Sequence, residues 1–264
     1  DLNDPNHGRL EAPRLDFAVR LRGPIVAAVH LAARRQWWQV NALSELLGRS
    51  EEDGGHLPKL PEPVRSEIAR AGRSRAMLVL RDNVRFRRTI ERQYLRAIGR
   101  ARREVLIACA YFVPGARFRR ALLMAVRRGV RVRLLLQGRI EYPLAHYAAQ
   151  AMYDELLRGG IEIVEYRPSF LHAKVAVIDD WATVGSSNID PFSLLLAREA
   201  NVVLIDRPFA AKLRERLLRA IDEGGAPVTQ HRFRRLPLAV RLRHWLAILL
   251  LRIGLAVSGR TGEY

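Results

Sequence analysis

Cysteine is almost missing from this chain. The single Cys109 excludes an intrachain disulfide and a cysteine-built zinc site, and its apolar neighbours Val105–Tyr111 mark it as a buried structural thiol. Lysine is nearly as scarce: Lys59, Lys174 and Lys212 stand against 42 arginines. The apolar stretch from Trp245 to Val257 is interrupted by Arg252 and falls short of the roughly 20 residues that span a bilayer. Acids are outnumbered, leaving a net charge of +18 and a pI near 11.3. Such a balance points to a polyanionic partner, either nucleic acid or an anionic membrane surface. The arginines are spread along the whole chain, so charge alone does not choose between the two. With 49% hydrophobic and 27% charged residues the composition is that of a globular protein. A length of 264 residues suits one large domain or two small ones.

The order of elements is legible from pattern. Leu15–Arg22 alternates like an edge strand, and Gly23-Pro24 opens a helix to about Val40. Residues 50–75, rich in Gly, Pro, Glu and Arg, read as a linker. From residue 76 strands and helices alternate: strands at Met77–Leu80, Glu104–Tyr111, Val130–Gln137, Ile161–Tyr166 and Ala200–Ile205, with helices between them. His172–Asp179 and Ala182–Ser186 form a hairpin. This predicts an α/β fold, a mixed sheet flanked by helices on both faces, with an amphipathic helix at the C-terminus. Asp16-Phe-Ala-Val-Arg-Leu-Arg-Gly-Pro24 repeats in Glu199-Ala-Asn-Val-Val-Leu-Ile-Asp-Arg-Pro208. The repeat makes residues 1–49 the remnant of an earlier half that resembled residues 76–225. The chain starts with Asp1, so an excerpt of a longer protein is expected.

The chemistry concentrates at His172-Ala-Lys174 and Gly185-Ser-Ser-Asn188. Alternate side chains of a strand share a face, so His172 and Lys174 project together. Lys174 is one of the few lysines, and a compact ammonium suits a single phosphoryl oxygen. An imidazole with one nitrogen held and the other free can attack phosphorus and form a phosphohistidine. Lys174, Ser186 and Asn188 then offer donors to the nonbridging oxygens. Asp179 has the opposite parity and sits at a turn. It is open between a role at the phosphate and simply holding the hairpin. No metal or other cofactor is called for by these residues.

His172, Lys174 and Asp179, followed by Gly185, Ser186 and Asn188, resemble the signature of the phospholipase D superfamily, although one residue is missing between Asp179 and Gly185. Ala110-Tyr-Phe-Val-Pro-Gly115, Arg127–Arg133, Leu157–Gly160 and Trp181–Pro191 resemble the bacterial cardiolipin synthases of the B-type subgroup. The resemblance implies a metal-independent phosphatidyltransferase that acts on phosphatidylglycerol through a phosphohistidine. It implies His172, Lys174, Asp179 and Glu199 as catalytic residues, with Glu199 bonded to the ring of His172. Family members join two such motifs. None of the histidines upstream of residue 172 is followed two residues later by Lys, so this chain is expected to carry one motif. Asp16 would then orient a histidine lying before residue 1, and a preceding half or a second copy of the chain would complete the site. The alternative is a phosphodiesterase or nuclease working as a homodimer with one motif per chain.

The tail, residues 226–264, is read as a basic amphipathic element at a membrane interface. Arg232, Arg234, Arg235, Arg241 and Arg243 precede the Leu-rich run that starts at Trp245. Packing of that helix on the domain is the competing reading. The expected partners are anionic phospholipid and a membrane surface, with nucleic acid favoured less. The expected place is the cytoplasmic side of a bacterial inner membrane, held peripherally. Tyr111, Phe112, Gln137 and Gly138 lie at strand ends, where sites and core packing are equally good readings. His146 and His244 read as helix residues rather than ligands, and Trp37-Trp38 is open between a lipid anchor and a buried contact.

Overall fold

The computed structural model describes residues 3–4, 8–10, 12–46, 69, 71–82, 86–191, 193–194, 197–231 and 236–257. The chain divides into two compact units, residues 19–78 and residues 1–18 with 79–264. The first eighteen residues therefore group with the second half and not with the segment that follows them. Most of the expected linker, and Arg232, Arg234 and Arg235 of the tail, lie outside the described residues.

In the smaller unit α1 runs from Ile25 to Leu46. It leaves Trp37 70% exposed, so that ring is not a core contact of the unit. In the larger unit a two-residue pair, β1 (Asn3–Asp4) and β2 (Gly8–Arg9), precedes the main sheet. The sheet strands are β3 (Arg75–Arg81), β4 (Glu104–Cys109), β5 (Arg131–Gln137), β6 (Glu162–Tyr166), β7 (Lys174–Ile178), β8 (Trp181–Gly185), β9 (Glu199–Ile205) and β10 (Gly225–Val228). Their spatial order is β10-β6-β5-β4-β7-β8-β9-β3. β4, β5 and β6 run parallel. β7 is antiparallel to β4, β8 to β7, β9 to β8 and β10 to β6. The sheet is mixed, as the sequence predicts. β10 was not foreseen, because Gly-Ala-Pro-Val is a poor strand by propensity and gains its place only by pairing with β6.

β4 is central, and Val105 through Cys109 are all buried, which is why it reads as a continuous apolar run rather than an alternating one. Val105, Ile107 and Cys109 join a core with α2 (Thr89–Arg100) and α3 (Ala116–Arg127). α2 buries Ile90, Tyr94, Ala97 and Ile98, the i, i+4, i+7, i+8 pattern of an amphipathic helix, and turns its arginines outward. α3 ends at Gly129, whose φ of +85° allows Val130 N to return to the carbonyl of Ala125. The expected helix at 143–158 is broken into α4 (Pro143–Gln150) and α5 (Tyr153–Arg158). Leu106 and Ala108 face the other side of the sheet, where α6 (Arg207–Gly224) packs. Asp206 caps α6 by accepting from Phe209 N at 2.8 Å.

The last helix, α7 (Leu238–Val257), has two characters. One side packs on α4: His244, Ala247 and Leu251 are buried, Tyr147 stacks on His244, and the Arg243 guanidinium lies 4.0 Å from the Tyr147 ring centre. The other side exposes Leu238, Leu242, Trp245, Leu246, Leu250 and Ile253. Both readings of the tail thus describe part of the same helix. Among the described residues no helix is long and apolar enough to cross a membrane.

Leu15–Arg22 does not form the expected edge strand. Only Leu15 pairs, in an isolated parallel bridge with Leu171. That bridge matters more for the site than a strand would.

Candidate active site

Topology collects the site at one edge of the sheet. β7 runs against β4, so its start at Lys174 lies opposite the end of β4 at Cys109. β8 ends and β9 begins at the same edge, where Gly185 pairs with Asn201. His172, Lys174, Ser186, Asn188 and Glu199 therefore converge with the ends of β4 and β5, the edge where α/β sheets commonly bind ligands.

His172 is half-buried, and its Nδ1 lies 2.7 Å from Oδ2 of Asp16. A carboxylate only accepts, so the proton of this contact sits on Nδ1 and the Nε2 lone pair is left for attack. The backbone puts Asp16 there. Leu15 N donates to Phe170 O and His172 N donates to Leu15 O, both at 2.9 Å. Gln137 Oε1 accepts from Leu171 N at 3.0 Å and steadies the same turn.

Lys174 is buried and donates to the carbonyl of His172 at 2.6 Å. Burial lowers its pKa, while Cys109, Asp16, Glu199 and Glu141 act in the opposite sense. An ammonium has three donors, so this cation can hold its own loop and still face a phosphoryl oxygen. Ser186 Oγ donates to Glu199 Oε2, and Ala200 N donates to Ser186 Oγ at 3.1 Å. Burial raises the pKa of Glu199, opposed by hydrogen bonds from Ser186 and Ser193 and by the charges of Lys174 and Arg81. Asn188 Oδ1 accepts from Tyr111 N at 3.5 Å, which directs its amide nitrogen elsewhere as a donor. Gly185 is obligatory at the rim, since a Cβ there would meet Asn201 Oδ1 at 2.2 Å. Among the described residues no group of three or more His, Cys, Asp or Glu side chains is placed to hold a metal ion.

Residues 94–221 match a family model described as cardiolipin synthase, PLD-like domain. Over 212 residues the chain is 43% identical to cardiolipin synthase B of Escherichia coli (strain K12), which covers 76% of this chain and 46% of that relative. The chain belongs to the phospholipase D superfamily. It is 33% identical over 205 residues to cardiolipin synthase A of Pseudomonas aeruginosa (strain LESB58), covering 76% of this chain and 38% of that relative. It spans less than half of the length of each. The fold matches that of Nuc, a phospholipase D family member from Salmonella typhimurium, with a TM-score of 0.52 at 19% identity, covering 60% of this chain and 99% of that one.

Two residues of the phospholipase D signature stand elsewhere than expected. Glu199 is not on the ring of His172; its carboxylate is taken by Ser186, and Asp16 is the Nδ1 partner. Asp16, which the repeat equates with Glu199, is the carboxylate that lies on the later histidine. The reason is the Leu15–Leu171 bridge, a pairing across 156 residues that local spacing does not reveal. Asp179 lies at the opposite edge of the sheet. It accepts from Arg102 N at 2.8 Å, Arg103 N at 3.1 Å and Glu104 N at 3.0 Å, with its own φ at +51°. Burial pushes its pKa up, but these three N–H groups and the Arg103 guanidinium outweigh that and leave it below the usual carboxylate value. With β7 between them, about 3.3 Å per residue over five residues separates Asp179 from Lys174. Its place in the signature is therefore structural, and the catalytic role expected for it does not fit.

The sequence reading also missed Arg14 and Glu141. Arg14 Nη1 donates to Glu141 Oε1 at 2.7 Å, and Tyr111 Oη donates to Glu141 Oε2. The only signal was Tyr111 at a strand end. His146 and His244 are helix residues, and burial, with the nearby charges of Arg243 and His146, pushes the His244 ring down to about 4.

Proposed function

We propose that this chain is the second catalytic half of a cardiolipin synthase-type phosphatidyltransferase acting on phosphatidylglycerol, with His172 as nucleophile. The observation that carries the proposal is the His172–Asp16 contact, with the Lys174 ammonium bonded to the carbonyl of His172. The identity to two cardiolipin synthases supports the substrate class.

In the first step Nε2 of His172 attacks the phosphorus of one phosphatidylglycerol. The bond from phosphorus to the glycerol oxygen breaks, and glycerol leaves with a proton from a general acid. Asp16 stabilises the Nδ1–H of the attacking ring, while Lys174 and the amide of Asn188 take up charge on the nonbridging oxygens. In the second step a hydroxyl of another phosphatidylglycerol gives its proton back to that general acid and attacks the phosphohistidine, the N–P bond breaks, and cardiolipin forms. The general acid is a second histidine supplied from outside residues 1–264, by a preceding half or by a second copy. No step calls on a metal ion: Lys174 supplies the cation. Ser186 donates to Glu199 and holds that carboxylate in place. The exposed apolar stripe of α7, flanked by Arg241 and Arg243, supports peripheral attachment to an anionic membrane on the cytoplasmic side.

The deciding experiment compares this chain with one extended upstream through a preceding half, on phosphatidylglycerol vesicles. The extended chain is expected to release glycerol and form cardiolipin, and the short one is not. Full turnover by the monomeric short chain would overturn the half-site reading. Cleavage of DNA with no lipid turnover by either chain would replace the transferase by a nuclease.

A further inference from the structure

The catalytic pair is held by a device that lies beside it. Arg14 and Asp16 are two apart in an extended segment, so their side chains leave the backbone on the same face. Fixing Arg14 therefore fixes the direction of Asp16. Arg14 is tethered twice: to Glu141 at 2.7 Å and over the ring of Phe170, with its guanidinium carbon 5.2 Å from the ring centre. Phe170 is also the residue whose carbonyl accepts from Leu15. The Glu141 side chain is only 3% exposed, and that of Arg14 is 23% exposed. This is no surface pair of negligible worth, because losing Arg14 leaves the buried charge of Glu141 unmatched.

Glu141 has a second customer. Its other oxygen accepts the Tyr111 phenol, and burial together with that hydrogen bond pushes the phenol well above its ordinary pKa, so it remains a donor. The backbone of the same Tyr111 donates to Asn188. One buried carboxylate thus reaches Asp16 through Arg14 and Asn188 through Tyr111. Both of its oxygens are engaged and it is shielded from solvent, so substrate does not touch it.

We propose that Glu141, with Arg14 and Tyr111, is a positioning cluster that keeps the Asp16 carboxylate on Nδ1 of His172 and so sets the tautomer of the attacking ring. The proposal rests on His172 being the nucleophile, but its test needs no substrate. The imidazole nitrogen resonances of the 264-residue chain, labelled with ¹⁵N-histidine, are recorded in alkali where the rings are neutral, and His172→Ala assigns the signal. Wild type is expected in the Nδ1–H form. Glu141→Gln and Arg14→Gln are expected to lower the ratio of Nδ1–H to Nε2–H about tenfold, toward the form that a free imidazole favours. Arg14→Lys, which keeps the ion pair, is expected to retain most of the wild-type ratio. An unchanged ratio in folded Glu141→Gln overturns the proposal. If Glu141→Gln does not fold, as judged by circular dichroism, Arg14→Gln decides, since its side chain reaches solvent. A tautomer shift in Glu141→Gln together with no phosphatidyl transfer by the upstream-extended wild-type chain would sink the function proposed above and leave the cluster standing.

Discussion

The two ends of β7 carry residues of one short signature and do opposite work. At the first end the backbone of His172 bonds to Leu15, its ring meets Asp16, and the Lys174 ammonium holds the carbonyl of His172. At the other end Asp179 gathers three backbone N–H groups from the turn into β4, and none of those contacts reaches the site. A five-residue strand separates chemistry from architecture. Residues that are close in sequence need not share a task, because an extended strand moves the chain on by about 3.3 Å at each step.

The sharpest way to break this comparison is at His172. His172→Ala should remove the phosphohistidine and cut phosphatidyl transfer by the completed enzyme by about 10⁴-fold or more. Its thermal midpoint should stay within about 2 °C of wild type, as for other half-exposed substitutions. A large loss of stability would mean that the site end also holds the fold.

Asp179→Ala should do the reverse. Three charge-assisted hydrogen bonds vanish, and alanine must adopt a positive φ. The expected cost is about 2–3 kcal/mol, or roughly 4–12 °C in midpoint. The His172 tautomer should be unmoved. Asp179→Asn should cost less, because asparagine tolerates the left-handed region.

Acid should narrow the contrast. The folded-state pKa of Asp179 lies below its unfolded value, so its stabilisation is present in full above the unfolded value near 3.9 and is lost as pH falls through the lowered one. Urea titrations of wild type and Asp179→Asn should differ at neutral pH and converge in strong acid. A gap that persists there would mean that the ionised carboxylate is not what holds the turn.

The smallest effect on either end should come from α7. Leu242→Glu with Leu246→Glu should weaken flotation with anionic vesicles about tenfold or more, since two exposed apolar contacts are replaced by charges of the wrong sign. Midpoint and tautomer should both stay put. A fall in midpoint would show that this side of the helix is covered by protein.

Much of this was readable in the chain. β4 and β7 declare themselves because Val105–Cys109 and Val175–Ile178 are apolar and buried on both faces, and β5 does so through Leu134–Leu136. α2 and α3 declare themselves by their spacing and by the glycine after α3. His172 and Lys174 share a face by strand parity alone. What stayed hidden depended on distant partners. β10 has no propensity to announce it, and the alternation at Leu15–Arg22 looked like a strand although only Leu15 finds one. The exchange of Glu199 for Asp16 beside His172 followed from a single bridge between residues far apart. Glu141 was invisible because an acid in a loop looks the same whether solvent or a buried arginine receives it.

Cys109 adds a consequence of a different kind. It is the only thiol, it is buried beside Lys174 and Asn188, and burial pushes it up to about 12. While the sheet edge is closed the sulfur is protonated and out of reach of a disulfide reagent. Its rate of labelling therefore counts the openings of that sheet edge, one chemical event at a time, with no engineered residue and no competing cysteine.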